Sequence, residues 1–314
     1  MKGTMPLRPK ARTCTADLLR RRAGILGAIA VLGVSASPAS AAPLGLRLEA
    51  GYNYSDNVTH APRNSPDVLN DQSYGLTVSK NFLVPLTTRT RLIVNGFVGG
   101  ERFVAYDGLS RLLFGGQGTY QFRPSGSFGS PTYALFLRAA AEYYDSNLRD
   151  GYRYAAGVSV RKPVTDRIQV STALSYNYRD SKSAVFDNQD WSARVNLDYS
   201  LRGADTLYFG GEYRRGDTVS TARPSLAMLD LAKSVVSDDA FDDGVDRLAY
   251  RFKAATWIGT IGYNLAFTSG QSLDFSYRYI RSTPTDSSSY TYVNWNQTIR
   301  YIDNQFGLAY LLRF

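Results

Sequence analysis

The stretch "NQFGLAYLLRF", Asn304 to Phe314, alternates with a period of two. Phe306, Leu308, Tyr310, Leu312 and Phe314 fall on one side, and Gln305, Gly307, Ala309, Leu311 and Arg313 on the other. Successive side chains leave a strand on opposite faces, so this pattern predicts a β-strand with one apolar face. A soluble sandwich would bury that face in a core. A lipid bilayer would serve equally well, and the remaining sequence has to decide between them.

The alternation recurs along the chain. "LGLRLEAGYNY" sets Leu46, Leu48, Ala50, Tyr52 and Tyr54 against Arg47, Glu49 and Asn53. "IQVSTALSYNY" sets Ile168, Val170, Leu174, Tyr176 and Tyr178 against Gln169, Ser171, Ser175 and Asn177. "DWSARVNLDYSL" sets Trp191, Val195, Leu197 and Tyr199 against Asp190, Arg194, Asn196 and Asp198. Twelve such segments are predicted, near 44–55, 73–83, 89–103, 111–123, 131–145, 151–161, 167–180, 189–201, 205–216, 248–267, 272–282 and 299–314. Around Ala254–Trp257 the apolar face changes parity, which predicts a bulge. Links after even-numbered segments are short; those after odd-numbered ones are generally longer, the longest spanning 217–247. Short-long alternation is the mark of an up-and-down barrel with short periplasmic turns and longer extracellular loops. An even strand count then puts both mature termini on the periplasmic side.

The first residues read as an export signal. Seven basic residues, from Lys2 to Arg22, precede the apolar run "AGILGAIAVLGVSA" and the small-residue site Ala39-Ser40-Ala41. That order of regions predicts a cleaved secretory signal over 1–41, followed by a barrel over 42–314. The whole chain has 36 Lys+Arg and 27 Asp+Glu, net +9, but removing the signal leaves only +3. The charge balance therefore points to no nucleic-acid partner. The single cysteine, Cys14, lies inside the signal, so the exported part has no disulfide framework.

The choice of solvent follows from the aromatics. The chain has 23 Tyr, 15 Phe and 3 Trp, and many sit near segment ends on the apolar parity, as do Tyr74, Tyr120, Phe122, Tyr133, Tyr143, Tyr213, Tyr277 and Tyr279. Amphipathic rings prefer the membrane interface, so two girdles explain this placement better than a packed core. Closing the sheet also removes edges that lipid does not tolerate. The tail, with Phe306, Leu308, Tyr310, Leu312 and a terminal Phe314, resembles the C-terminal signature of Gram-negative outer-membrane β-barrel proteins. The resemblance implies an integral outer-membrane location, contact with outer-membrane lipids and lipopolysaccharide, and reading of the tail by the barrel-insertion machinery. "GYNYSDNVTHAP", after the first strand, is similar to the opening segment of several poorly characterised proteobacterial barrels.

Candidate chemistry is sparse. His60 is the only histidine and sits in the first long loop near Asp56; it reads as a solvated loop residue. Outer-membrane phospholipases and lipid A deacylases resemble this topology but use Ser-His pairs on strands. "SDDAFDDGVD" clusters Asp238, Asp239, Asp242, Asp243 and Asp246, without the spacing of a calcium loop, and reads as a solvated acidic loop. Just before it, Ser225 is a candidate N-cap for a short helix that could fold into the barrel mouth. No catalytic residue, metal or cofactor is expected.

The polar parity is more informative. It carries Arg47, Glu49, Arg138, Glu142, Arg153, Arg161, Asp190, Arg194, Asp198, Glu212, Arg214, Asp274 and Arg278, all predicted to line the lumen. Charges facing inward need water or a partner. Both signs occur in similar number, so the lumen is either a narrow polar channel or is crossed by ion pairs. The expectation is a small porin-like channel for small polar solutes. The alternatives are a non-conducting surface scaffold, an export or display accessory barrel, and, least favoured, an outer-membrane hydrolase. The oligomeric state is left open.

Overall fold

The two-residue period becomes a run of antiparallel strands: β1 (Leu46–Ser55), β2 (Asp71–Pro85), β3 (Thr90–Phe103), β4 (Arg111–Phe122), β5 (Thr132–Tyr144), β6 (Gly151–Pro163), β7 (Ile168–Ser181), β8 (Asn188–Ser200), β9 (Thr206–Ala222), β10 (Ser234–Ser237), β11 (Leu248–Ala266), β12 (Gln271–Pro284) and β13 (Tyr301–Arg313). A six-residue helix, α1 (Leu226–Leu231), lies between β9 and β10. The computed structural model describes residues 45–201, 205–286 and 299–314, all within the compact unit Pro43–Phe314. Leu44 and the expected signal over 1–41 lie outside the described residues.

Sequence neighbours pair as a meander, β9 pairs directly with β11, and β13 pairs with β1, so twelve strands close into a barrel. Ala50 stands opposite Tyr310, and the Phe314 N–H donates to the Leu46 carbonyl at 2.9 Å. The C-terminal alternation is thus the strand that closes the barrel. Its partner β1 begins at the same rim where β13 ends. The extra strand β10 extends the sheet beyond the barrel, on the edge of β11 that β12 leaves free above Ala254.

Burial is inverted relative to a soluble protein. Leu112, Phe114, Leu135, Leu137, Val158, Leu174, Val195, Trp257 and Phe306 are exposed, while Ser73, Glu142, Asp190, Ser192, Glu212, Ser282 and Asp303 are buried. Stacked or tilted ring pairs lie on the outward face, among them Phe114 with Tyr143 at 5.9 Å, Phe122 with Tyr133 at 6.4 Å and Tyr213 with Trp257 at 4.7 Å. A sheet with apolar residues outside and hydrogen-bonded polar residues inside matches a barrel whose outer solvent is lipid.

The bulge expected near Ala254–Trp257 does not occur. β11 keeps one unbroken register with β9, from Leu248 opposite Ala222 to Asn264 opposite Thr206. Its even-numbered side is the inner one throughout. Lower down that side carries Thr256, Ile258 and Thr260, with Ile258 packed on Ile280 and Tyr301; above, Tyr250, Phe252 and Ala254 are apolar because Met228 and Leu231 of α1 pack against them. The parity of the apolar residues changes because the neighbour changes, while the register stays the same.

The short turns are tied by side-chain oxygens. Thr87, Thr165 and Thr268 each accept a backbone N–H two or three residues on, from Thr90, Ile168 and Gly270. Such hydroxyl-to-backbone bonds favour tight turns. Asp205, in another short turn, accepts from the Ala266 N–H at 2.9 Å and the Tyr263 hydroxyl at 2.8 Å, which together hold its carboxyl below the usual range.

Candidate functional site: a charged lumen under a loop cap

Among the described residues, the long loops pack on one another at the opposite rim. In the first, residues 56–70, Asn57 is buried and bridges the chain: its side-chain amide donates to the Ala61 and Ile302 carbonyls, and its oxygen accepts from the Ala61 N–H. Leu109, Ala240 and Phe241 pack with Val58, Leu69 and Tyr106, which joins three loops. Val185, Phe186 and Ala249 form a second contact with Leu148 and Val236. α1 forms where Ser225 precedes it, but the Ser225 hydroxyl makes no cap bond, and the helix is held by its buried Met228 and Leu231.

The acidic stretch belongs to this cap and is not simply solvated. Asp238 is buried and accepts from Arg149 at 2.6 Å and from the Thr221 hydroxyl at 2.6 Å. Asp239 accepts from Ser146. Arg247 is buried between Asp67 at 3.3 Å and Asp243 at 2.6 Å. Asp242 and Asp246 remain exposed. The Arg247 hydrogen bond holds the Asp243 carboxyl below its ordinary range, and burial with Asp243 nearby pushes the Tyr106 hydroxyl up. A buried charge left without its partner is costly, so these pairs pin the loops to each other.

His60 departs from expectation. Its backbone takes a positive φ of 52°, its ring stacks on Tyr301 at 4.7 Å, and its Nε2 lies 3.8 Å from Asp303. Asp56 instead accepts from the backbone and side-chain N–H groups of Asn304. The histidine therefore faces the wall of β13 and borders the space beneath the cap.

Beneath the cap, a cavity of about 430 Å³ is bordered by Arg149, Arg153, Arg179, Arg214 and Arg278, with Asp190 and Asp217. The residues expected to line the lumen fall into separate groups on the face opposite the exposed apolar one. Glu142 lies 3.5 Å from Arg153, 3.3 Å from Arg179 and 3.5 Å from Arg111, which also contacts Glu101 at 2.8 Å. Glu212 binds Arg194 at 2.8 Å and Arg214 at 2.5 Å. Asp190 accepts from Asn177 at 2.8 Å. Nearer the short-turn rim, Arg47 pairs with Glu49 at 2.8 Å, Asp198 accepts from Gln169 at 3.3 Å, and Asp274 accepts from Tyr208 at 2.8 Å. Arg138 lies over the Phe97 ring at 4.7 Å. Arg161 stands opposite Thr132 at that rim, exposed, and Arg278 stands opposite Gln305.

Sequence reading missed Glu101, Arg111, Arg179, Tyr208 and Asp303. All continue the inward parity of their strands, so extending each alternation to its last residue finds them. Arg149 stands on a loop, where no periodicity applies.

No protein-family model and no curated relative matches the chain. Among solved structures it is similar to an outer-membrane channel from Pseudomonas putida F1, at 12% identity, over 87% of this chain and 97% of that one, with a TM-score of 0.54. The chain has the fold of an outer-membrane β-barrel. Weaker likenesses are to the KdgM porin, at 9% identity over 85% and 99% of the two chains with a TM-score of 0.43, and to the translocator domain of the autotransporter NalP from Neisseria meningitidis, at 13% over 95% and 96% with 0.39. Identities this low speak for the fold alone, and function has to come from the lumen.

Proposed function

We propose that this outer-membrane barrel is a passive channel for small polar solutes. One observation carries the reading: inside the barrel, Arg153, Arg194 and Arg214 keep 47%, 49% and 38% of their side-chain surface accessible. A lumen packed dry would bury such groups completely, because a charge away from water needs a full set of partners. The lumen is thus wide enough for water along one side of its ion pairs. Twelve strands place its width between filled eight-stranded barrels and open sixteen-stranded porins.

In this reading the short turns and both ends of the barrel face the periplasm, and the loop cap faces outward. The tail Phe306, Leu308, Tyr310, Leu312 and Phe314 presents an apolar edge to the insertion machinery before β13 pairs with β1. Lipid and lipopolysaccharide cover the outward aromatics. The chain is assigned no reaction. The similar barrel from Pseudomonas putida F1 is an outer-membrane channel, in keeping with the reading.

Refolded protein in planar bilayers tests it. Discrete, ohmic single-channel steps are expected, and protein that inserts fully yet passes no current would overturn the channel in favour of a scaffold whose cap binds a partner.

A further inference from the structure

The two signs of charge in the lumen are similar in number but differ in position. Glu142 and Glu212 are each only 7% exposed, and Asp190 and Asp303 are also buried, whereas Arg153, Arg194 and Arg214, which hold Glu142 and Glu212, stay accessible. These four carboxylates lie against the wall, and Arg153, Arg194 and Arg214 stand between Glu142 or Glu212 and the water, with Arg179 deeper at 15% exposed. Arg153 and Arg179 are direct cross-strand partners on β6 and β7. Like charges directly opposite destabilise a sheet, and with Arg111 paired more closely to Glu101, one carboxylate, Glu142, is left to serve both Arg153 and Arg179. Arg278, across the cavity on β12, is half-buried and has no ion pair among the described residues. Asp217, the other carboxylate at the cavity, is buried and taken by Lys233 at 2.7 Å.

We infer that Arg153, Arg179, Arg194, Arg214 and Arg278 make the lumen a binding path for small anions bearing carboxylate or phosphate groups. The inference rests on the channel reading and names its solute class. Guanidinium forks match carboxylate and phosphate oxygens two at a time, and their direction here is set by the carboxylates behind them. Successive sites of moderate strength let an anion enter and leave, which conduction requires. The focused positive field of such a wall raises the local anion concentration.

The test uses the full mature barrel, its Arg278→Gln variant, and an outward control, Arg215→Gln, in planar bilayers under a potassium chloride gradient. Arg278 has no carboxylate partner to orphan, so its loss leaves folding intact, which heat-modifiable gel migration checks. The wild type should prefer chloride over potassium, Arg278→Gln should cut that preference roughly twofold or more, and Arg215→Gln should leave it unchanged. Citrate titrated into the detergent-solubilised barrel by calorimetry should bind the wild type and bind Arg278→Gln more weakly. Conduction without anion preference overturns the inference and leaves the channel standing. Citrate binding without current overturns the channel and supports the arginine path. Neither current nor citrate binding overturns both.

Discussion

At the scale of single residues, the parity of a position decides its solvent. Leu174 and Leu197 are exposed on the outward face of β7 and β8. One residue away, Ser175 bonds the Ser192 hydroxyl at 2.7 Å, and Asn196 stands opposite Ser171 on the polar face. Leu→Arg at 174 should cost ~2–4 kcal/mol of folding free energy in lipid bilayers, the range for a charge near mid-depth, and at 197, nearer the short-turn rim, somewhat less. Arg at 175 or 196 should fold with little loss, because the new charge meets water. Urea unfolding in liposomes measures both, and equal damage at all four positions would mean the interior is dry. This alternation was legible from the sequence. The partners of each inward charge were not, since Glu142 and Arg179 are 37 positions apart and meet only through the register of three strands.

At the scale of elements, the strands were legible and the cap was not. All twelve barrel strands fall where the period-two segments lie, usually within two or three residues, because sheet and lipid impose the same pattern throughout. The cap answers to contacts between loops, which carry no period. Hence β9 runs on to Ala222, past the expected start of its loop, β10 is unforeseen, and the parity change in β11 reads falsely as a bulge. The Arg247–Asp243 pair gives the cap a definite pH dependence. Its hydrogen bond depresses the Asp243 carboxyl, so the contribution is complete above the ordinary carboxylate value and is lost as pH falls through the depressed one. A spin label at Val245 should keep one mobility from pH 7 to about 5 and loosen only below about 4. Loosening that is already complete at pH 5 would take the pinning away from the Arg247–Asp243 pair.

At the scale of the whole molecule, barrel and cap are separable in principle, and the cap sits over the path. Ala222 and Leu248 are register partners at the top of β9 and β11, so a two-residue Asn-Gly turn can replace residues 223–247 without shifting the hairpin. The replacement removes α1, β10, Asp238 and Arg247 together. Arg149, Asp67 and the buried Asp217, which Lys233 holds, lose their partners, and the opened mouth must hydrate all three for the desolvation cost of a closed site to be avoided. The strand pairing that closes the barrel is untouched. Single-channel conductance of this variant should rise several-fold over the intact protein, since the tightest loop contacts no longer cross the mouth. Its preference for anions should persist, because Arg153, Arg179, Arg194, Arg214 and Arg278 all stand on strands. Unchanged conductance would place the limiting constriction among the strand-borne arginines themselves, and a lost preference would assign selectivity to Arg149 and the loops above it.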